Sequence, residues 1–147
     1  MPRDYTKIVA WQRAHQLTLA VYRLTQAFPK AEMFGLTSQL RRASTSVAAN
    51  IVEGPARNSK RDYLHVLNIA GASLREVEYL VLLARELDYM SDVQYQQITA
   101  SANDTFAPLH GLQRAVRKDA GITGTVLALL TSNLVIAIAR AVAAHTA

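Results

Sequence analysis

Cysteine is absent from the 147 residues, so neither disulfides nor thiolate metal sites can form, and the chain suits a reducing cytoplasm. Charge is scarce as well: 18% of residues are charged while half are hydrophobic. That balance is apolar for a monomer and leans toward a homo-oligomer with buried interfaces. The histidines, His15, His65, His110 and His145, form no H-x3-H pair and no E-x-x-H element. Di-iron bundles need two E-x-x-H elements and two further glutamates, so no metal site is expected. There is no G-x-S-x-G, no P-loop and no G-x-G-x-x-G. Neither an enzyme nor a bound cofactor is expected. The N-terminus, MPRDYTKIVAW, has no uninterrupted apolar core, so no signal peptide is expected.

What charge there is lies unevenly. Residues 1–61 carry 10 Lys/Arg against 3 Asp/Glu, residues 62–109 carry 2 against 7, and residues 110–147 carry 4 against 1. The basic half can meet the acidic segment of a neighbouring subunit, or face an anionic partner.

Apolar periodicity predicts four helices. The first runs from about Tyr5 to Phe28, with Ile8, Trp11, Ala14, Leu17, Val21, Leu24 and Phe28 in steps of three and four. Trp11 is the only tryptophan, either a core or interface anchor or a ligand-stacking ring. The second helix carries Leu36, Leu40, Ala43, Val47 and Ile51 on one stripe, with Thr37 or Ser38 as its cap. Gly54-Pro55 stops it, the glycine being expected in the left-handed C′ position. The third opens on an S-x-x-D capping box at Ser59 and continues to about Leu87. Leu64, Leu67, Gly71, Leu74, Val77, Val81 and Ala84 form its stripe, widened by Ile69, Leu80, Leu83 and Leu87. So broad a face implies a subunit interface. Gly71-Ala72-Ser73 is small enough to admit another helix. The polar residues Arg75, Glu76, Glu78, Arg85 and Glu86 read as solvated pairs or as a site. The fourth opens on an S-x-x-Q box at Ser91 and carries Val93, Ile98, Ala102, Phe106, Leu109, Leu112 and Val116. Pro108 should kink or break it. Short connections predict an all-α, antiparallel up-down four-helix bundle over residues 1–120.

The chemistry sits around the second helix. Asn50 and Glu53 lie one turn apart, either as a structural polar network with Arg57 as the nearest cation, or as a binding or catalytic carboxylate. Arg41 and Arg42 point about 100° apart and cannot both be buried comfortably. With Arg57, Lys60 and Arg61 they are either solvated or paired surface, or a nucleic-acid-binding set. Phosphate contact of that kind is salt-dependent and weakly sequence-selective. Little aromatic interleaving lies nearby, so single-strand base stacking is not expected.

FGLTSQLRRA, followed by S-V-A-A-N-I-V-E-G and R-N-S, resembles the signature of the small bacterial four-helix-bundle family that includes the proteins encoded in intervening sequences of 23S ribosomal RNA genes. The similarity continues through Trp11, Ala14, Tyr22, Phe28-Pro29, Glu32, Ile69-Ala70, Ser73-Leu74, Glu76 and Ala84, covering roughly residues 5 to 118. It departs at Val52, where alanine is usual, at Gly71-Ala72, where the glycine normally comes second, and in a long apolar tail. The resemblance implies an up-down bundle, assembly as a homopentamer and no known catalytic residues. Accessory proteins of diversity-generating retroelements, similar in fold, bind nucleic acid and a reverse transcriptase.

From Ile122 to Ala139 the tail carries no charge. Those 18 residues reach the lower bound of a membrane span, although Thr131, Ser132 and Asn133 dilute them. Residues 121–147 are expected to form an additional C-terminal helix packed on the bundle or on a neighbouring subunit. A membrane anchor and a loose end are the alternatives. The chain thus reads as a cytoplasmic, non-catalytic homo-oligomer binding structured RNA or another nucleic acid, or else as a scaffold for a protein partner.

Overall fold

The computed structural model describes residues 4–121. Four long helices share one core: α1 Val9–Leu24, α2 Leu36–Glu53, α3 Lys60–Glu86 and α4 Asp92–Asp119, with no strand among the described residues. Each helix packs on the next in sequence, and α1 also packs on α4, which closes the ring. The additional C-terminal helix expected over residues 121–147 lies, from residue 122 onward, outside the described residues. No described helix is long and apolar enough to cross a membrane.

The core follows the stripes. Leu36, Leu40, Ala43, Val47 and Ile51 of α2 are all buried, as are Ala14, Leu17 and Val21 of α1 and Leu67, Leu74, Val77, Val81 and Ala84 of α3. Burying one such aliphatic side chain is worth about 1.5–3 kcal/mol. Five buried positions among the described residues are polar instead, Thr25, Thr37, Ser44, Ser73 and Thr105, and three of them bond back into their own helix. Ser44 donates to the carbonyl of Arg41 at 3.0 Å, Thr25 to that of Val21 and Thr105 to that of Ser101, both at 2.9 Å. A hydroxyl bonded back into its own helix can be buried without an orphaned donor.

Several boundaries differ from the sequence expectation. The first helix begins and ends in 3-10 turns, Tyr5–Lys7 and Thr25–Ala27. Neither Thr37 nor Ser38 caps α2; Glu32 accepts from the Leu36 N–H at 2.8 Å. A carboxylate there also complements the positive end of the helix dipole. Gly54 is not left-handed (φ −54°) and continues the chain into a 3-10 turn, Gly54–Ala56. Its lack of a side chain matters for another reason: a Cβ would stand 2.0 Å from the Tyr63 ring. Ser59 caps α3 by accepting from the Asp62 N–H at 3.0 Å, but its hydroxyl, not its backbone N–H, donates to the Asp62 carboxylate. At Ser91 both halves of the capping box are present.

Pro108 does not break α4, which runs on to Asp119. Buried Thr105 and Leu109 hold the helix on either side, and Asp104, whose carbonyl the proline leaves without its helical donor, is an exposed residue. Val93, read as core, is exposed because it lies in the first turn of α4, before Ile98 enters the interior. Gly71 faces Gln113 of α4 and Ser73 meets Ser46 of α2, so the small-residue run serves packing within the subunit. Asp88, at φ 58°, ends α3 in a left-handed residue, and the Tyr89 N–H bonds back to the Ala84 carbonyl at 2.9 Å.

Candidate nucleic-acid interface

Helix α2 buries one side and turns the opposite side outward. Phe34, in the turn before it, begins a row in steps of four, four, three and four: Phe34, Ser38, Arg42, Thr45 and Ala49, all exposed. With Tyr22 of α1, Met33, Thr37, Arg41 and Ser46, this row lines a groove of about 610 Å³. No carboxylate lines it, and α2 has none before Glu53. The nearest acid, Glu32, has both oxygens engaged elsewhere, one by the Leu36 N–H and the other by the Tyr89 hydroxyl.

The two adjacent arginines have different surroundings. Arg41 is half-buried; its Nε–H donates to Thr25 Oγ1 at 2.8 Å and its guanidinium lies 4.9 Å from the Tyr22 ring centroid. Thr25 passes its own proton to the Val21 carbonyl, so Arg41 ties α2 to α1 through that hydroxyl. Arg42 is exposed and engages no described side chain. Of the pair, it alone offers its whole fork of donors to solvent.

The remaining candidates lie well away. About eleven residues of helix at 1.5 Å each separate Arg42 from Glu53, roughly 17 Å. Beyond them Arg57 pairs with Glu53, and Lys60 pairs with Asp119 at 3.6 Å. Arg61 is exposed. The basic set is therefore two surfaces, and at the distal one two of the three cations have carboxylate partners. A third basic patch, not singled out from the sequence, lies beyond Lys60 on α4, where His110, Arg114 and Arg117 recur at helical spacing in a groove with Ala107 and Gln113.

Asn50 and Glu53 share a face but not a network. The Asn50 amide donates to the Ser46 carbonyl at 2.8 Å and to Ser46 Oγ at 3.1 Å, and Ser46 Oγ lies 2.9 Å from Ser73 Oγ. Glu53 turns to Arg57. On the acidic side, Arg85 donates to Asp92 at 2.8 Å over the Tyr95 ring, and that carboxylate raises the arginine's pKa further. Arg75 pairs with Glu78 and lies over Phe106. Among the described residues no three His, Asp or Glu side chains converge as a metal site.

Tyr22 and Phe34 are what the sequence reading lacked. It found little aromatic interleaving around Arg41 and Arg42, yet the groove holds two rings. Tyr22 comes from another helix, so its neighbourhood is tertiary. Phe34 was within reach: it stands two residues before Leu36 opens α2, in the turn that leads to Arg41 and Arg42.

Residues 6–111 match the sequence pattern of the family described as 23S rRNA-intervening sequence protein. Among solved structures, a protein of unknown function from the S23 ribosomal protein family of Bacteroides thetaiotaomicron is similar, with a TM-score of 0.66 and 23% identity. The similarity covers 72% of this chain and 96% of that one, and it concerns the fold. Comparison with curated proteins gives no match.

Proposed function

The chain belongs to the 23S rRNA-intervening sequence protein family, and from that premise we propose that it is a non-catalytic homo-oligomer binding structured RNA or another nucleic acid through a basic surface. The observation that carries this reading is Arg42, exposed and without a partner among the described residues, on a groove wall that they line with no carboxylate. Phosphate oxygens suit a guanidinium fork, and repetition of that face around an oligomer multiplies the positive field. Arg57, Lys60 and Arg61, with Arg114 and Arg117 of α4, form a second cationic end for the same backbone. In this reading the helices run antiparallel, up and down. Lys60 with Asp119, Gln113 with the Leu67 carbonyl, and Arg85 with Asp92 support that order. Exposed Ile69 and Tyr79 of α3, with Leu87 at its end, support a subunit interface, and a ring of five is the assembly that the family resemblance implies. The absence of cysteine suits the cytoplasm.

The test is binding of the full chain to a structured RNA across a salt series. Affinity should fall log-linearly with salt, and Arg42→Glu should weaken binding and flatten the slope. Arg41→Lys should lower the melting temperature instead, because lysine cannot reproduce the Nε–H bond to Thr25. No binding at low salt sinks the reading. A second reading, a scaffold for a protein partner, draws on Phe34, 92% exposed beside Met33. A partner retained under RNase treatment would favour it.

A further inference from the structure

The geometry points to an unpaired nucleotide as the ligand of the α1–α2 groove, its base laid on the Phe34 ring and its phosphate held by Arg42. This inference rests on the nucleic-acid reading and narrows it to single-stranded segments: loops, bulges or ends.

Three features of the groove converge on that ligand. Its charge is of one sign, since it contains two guanidiniums and no carboxylate. Arg41 commits its Nε–H to Thr25 and keeps its terminal nitrogens, while Arg42 commits none of its donors to a described residue. Exposed hydroxyls at Ser38 and Thr45 flank Arg42 in the same row and can donate to phosphate or ribose oxygens. The third feature is apolar. Phe34 is 92% exposed, and among the described residues no ring stacks on it. A cationic, hydroxyl-rich wall beginning at a bare aromatic ring suits a ligand that carries an anion and a flat π-face together.

Spacing makes the two contacts compatible with one short segment. Side chains on a helix lean toward its N-terminus, so Arg42 reaches over the turn that carries Ser38, toward the start of α2, where Phe34 lines the same groove. A paired base offers only its edges, because its faces are covered by its stacked neighbours. The Phe34 ring can therefore meet a base face only where the strand is unpaired. The patch of His110, Arg114 and Arg117 offers a contrast: its groove contains no phenyl, phenol or indole ring, so it suits backbone phosphate alone.

The experiment uses the full chain with two RNAs of equal length and charge: a hairpin with an unpaired loop, labelled with 2-aminopurine at one loop position, and a perfect duplex. Variants are Phe34→Leu, Phe34→Trp and Arg42→Glu. The wild type should prefer the hairpin and change the label's fluorescence. Phe34→Leu, which keeps apolar bulk but removes the ring, should weaken hairpin binding about tenfold. It should leave duplex affinity and the salt slope unchanged, and Phe34→Trp should restore hairpin binding. Arg42→Glu should weaken both RNAs. The inference is overturned if Phe34→Leu changes neither RNA, or weakens both alike, while binding itself persists; the nucleic-acid reading then stands without it. It is overturned with that reading if neither RNA binds at low salt. A fall in melting temperature or a loss of oligomer in Phe34→Leu would assign the ring to a subunit contact and also overturn it.

Discussion

The hydroxyl of Tyr89 donates to Oε1 of Glu32 at 3.1 Å, joining two turns 57 residues apart, while Oε2 of the same carboxylate caps α2 at the Leu36 N–H. One side chain thus sets where α2 begins and fastens that start to the turn between α3 and α4. Asp88 makes this possible by taking the left-handed conformation that swings the chain back at Tyr89.

That bond makes an alkaline signature. Donation to Glu32, then removal from water, then the carboxylate's charge hold the Tyr89 phenol above its ordinary pKa of 10.0. A raised pKa means that the folded form keeps the proton longer than the unfolded form. The contribution to stability is complete below about pH 10 and is lost as pH rises through the raised value. The melting temperature of wild type should therefore fall toward that of Tyr89→Phe between neutral and strongly alkaline pH. A constant gap between the two would refute it. Glu32→Ala removes the helix cap as well, and should cost about 1 kcal/mol at neutral pH.

Gly54→Ala should be destabilising although the backbone there is ordinary helix. The added carbon would stand 2.0 Å from Cε2 of Tyr63, a buried ring with little room to yield. Overpacking of this kind costs about 1–3 kcal/mol. In a Tyr63→Ala background most of that cost should vanish, a coupling that a double-mutant cycle by urea denaturation measures. Equal costs in both backgrounds would show that the ring is not the obstacle.

The serines across the α2–α3 contact make a third case. Ser46 Oγ and Ser73 Oγ are 2.9 Å apart, with Ser73 buried. Ser46→Ala alone strands the Ser73 hydroxyl and should cost about 1 kcal/mol or more. The double change Ser46→Ala with Ser73→Ala should cost less than the two single changes together, because neither hydroxyl is left without the other and the Asn50 amide keeps the Ser46 carbonyl. Additive losses in thermal melts would contradict a shared bond.

The helices were legible in the sequence because their signal is local. Leu36 to Ile51 repeat every three or four residues, and that period alone settles which side of α2 is buried. Thr25, Ser44 and Thr105 escaped the same reading, since hydroxyls that bond to their own helix enter a core without appearing apolar. Gly54 was recognised as punctuation but assigned the wrong cause: a backbone angle can be guessed from neighbours, whereas a ring arriving from residue 63 cannot. The site was half legible. Arg41 and Arg42 stood out as a pair, but only the positions of Thr25 and Tyr22 separate a structural arginine from an accessible one.

The bundle is fastened unequally along its length. Phe28, Glu32, Tyr89 and Met90 gather two of the three connections at one end, through an aromatic contact, a carboxylate and buried side chains. Toward the start of α3, Lys60 meets Asp119 of α4 through an exposed pair, a contact that salt weakens. Amide exchange should accordingly run as a gradient, fastest near Asp119 and slowest toward the turns at Glu32 and Tyr89. The molecule should therefore unzip from the Lys60–Asp119 contact, while the Phe34–Arg42 face is the last to lose its shape.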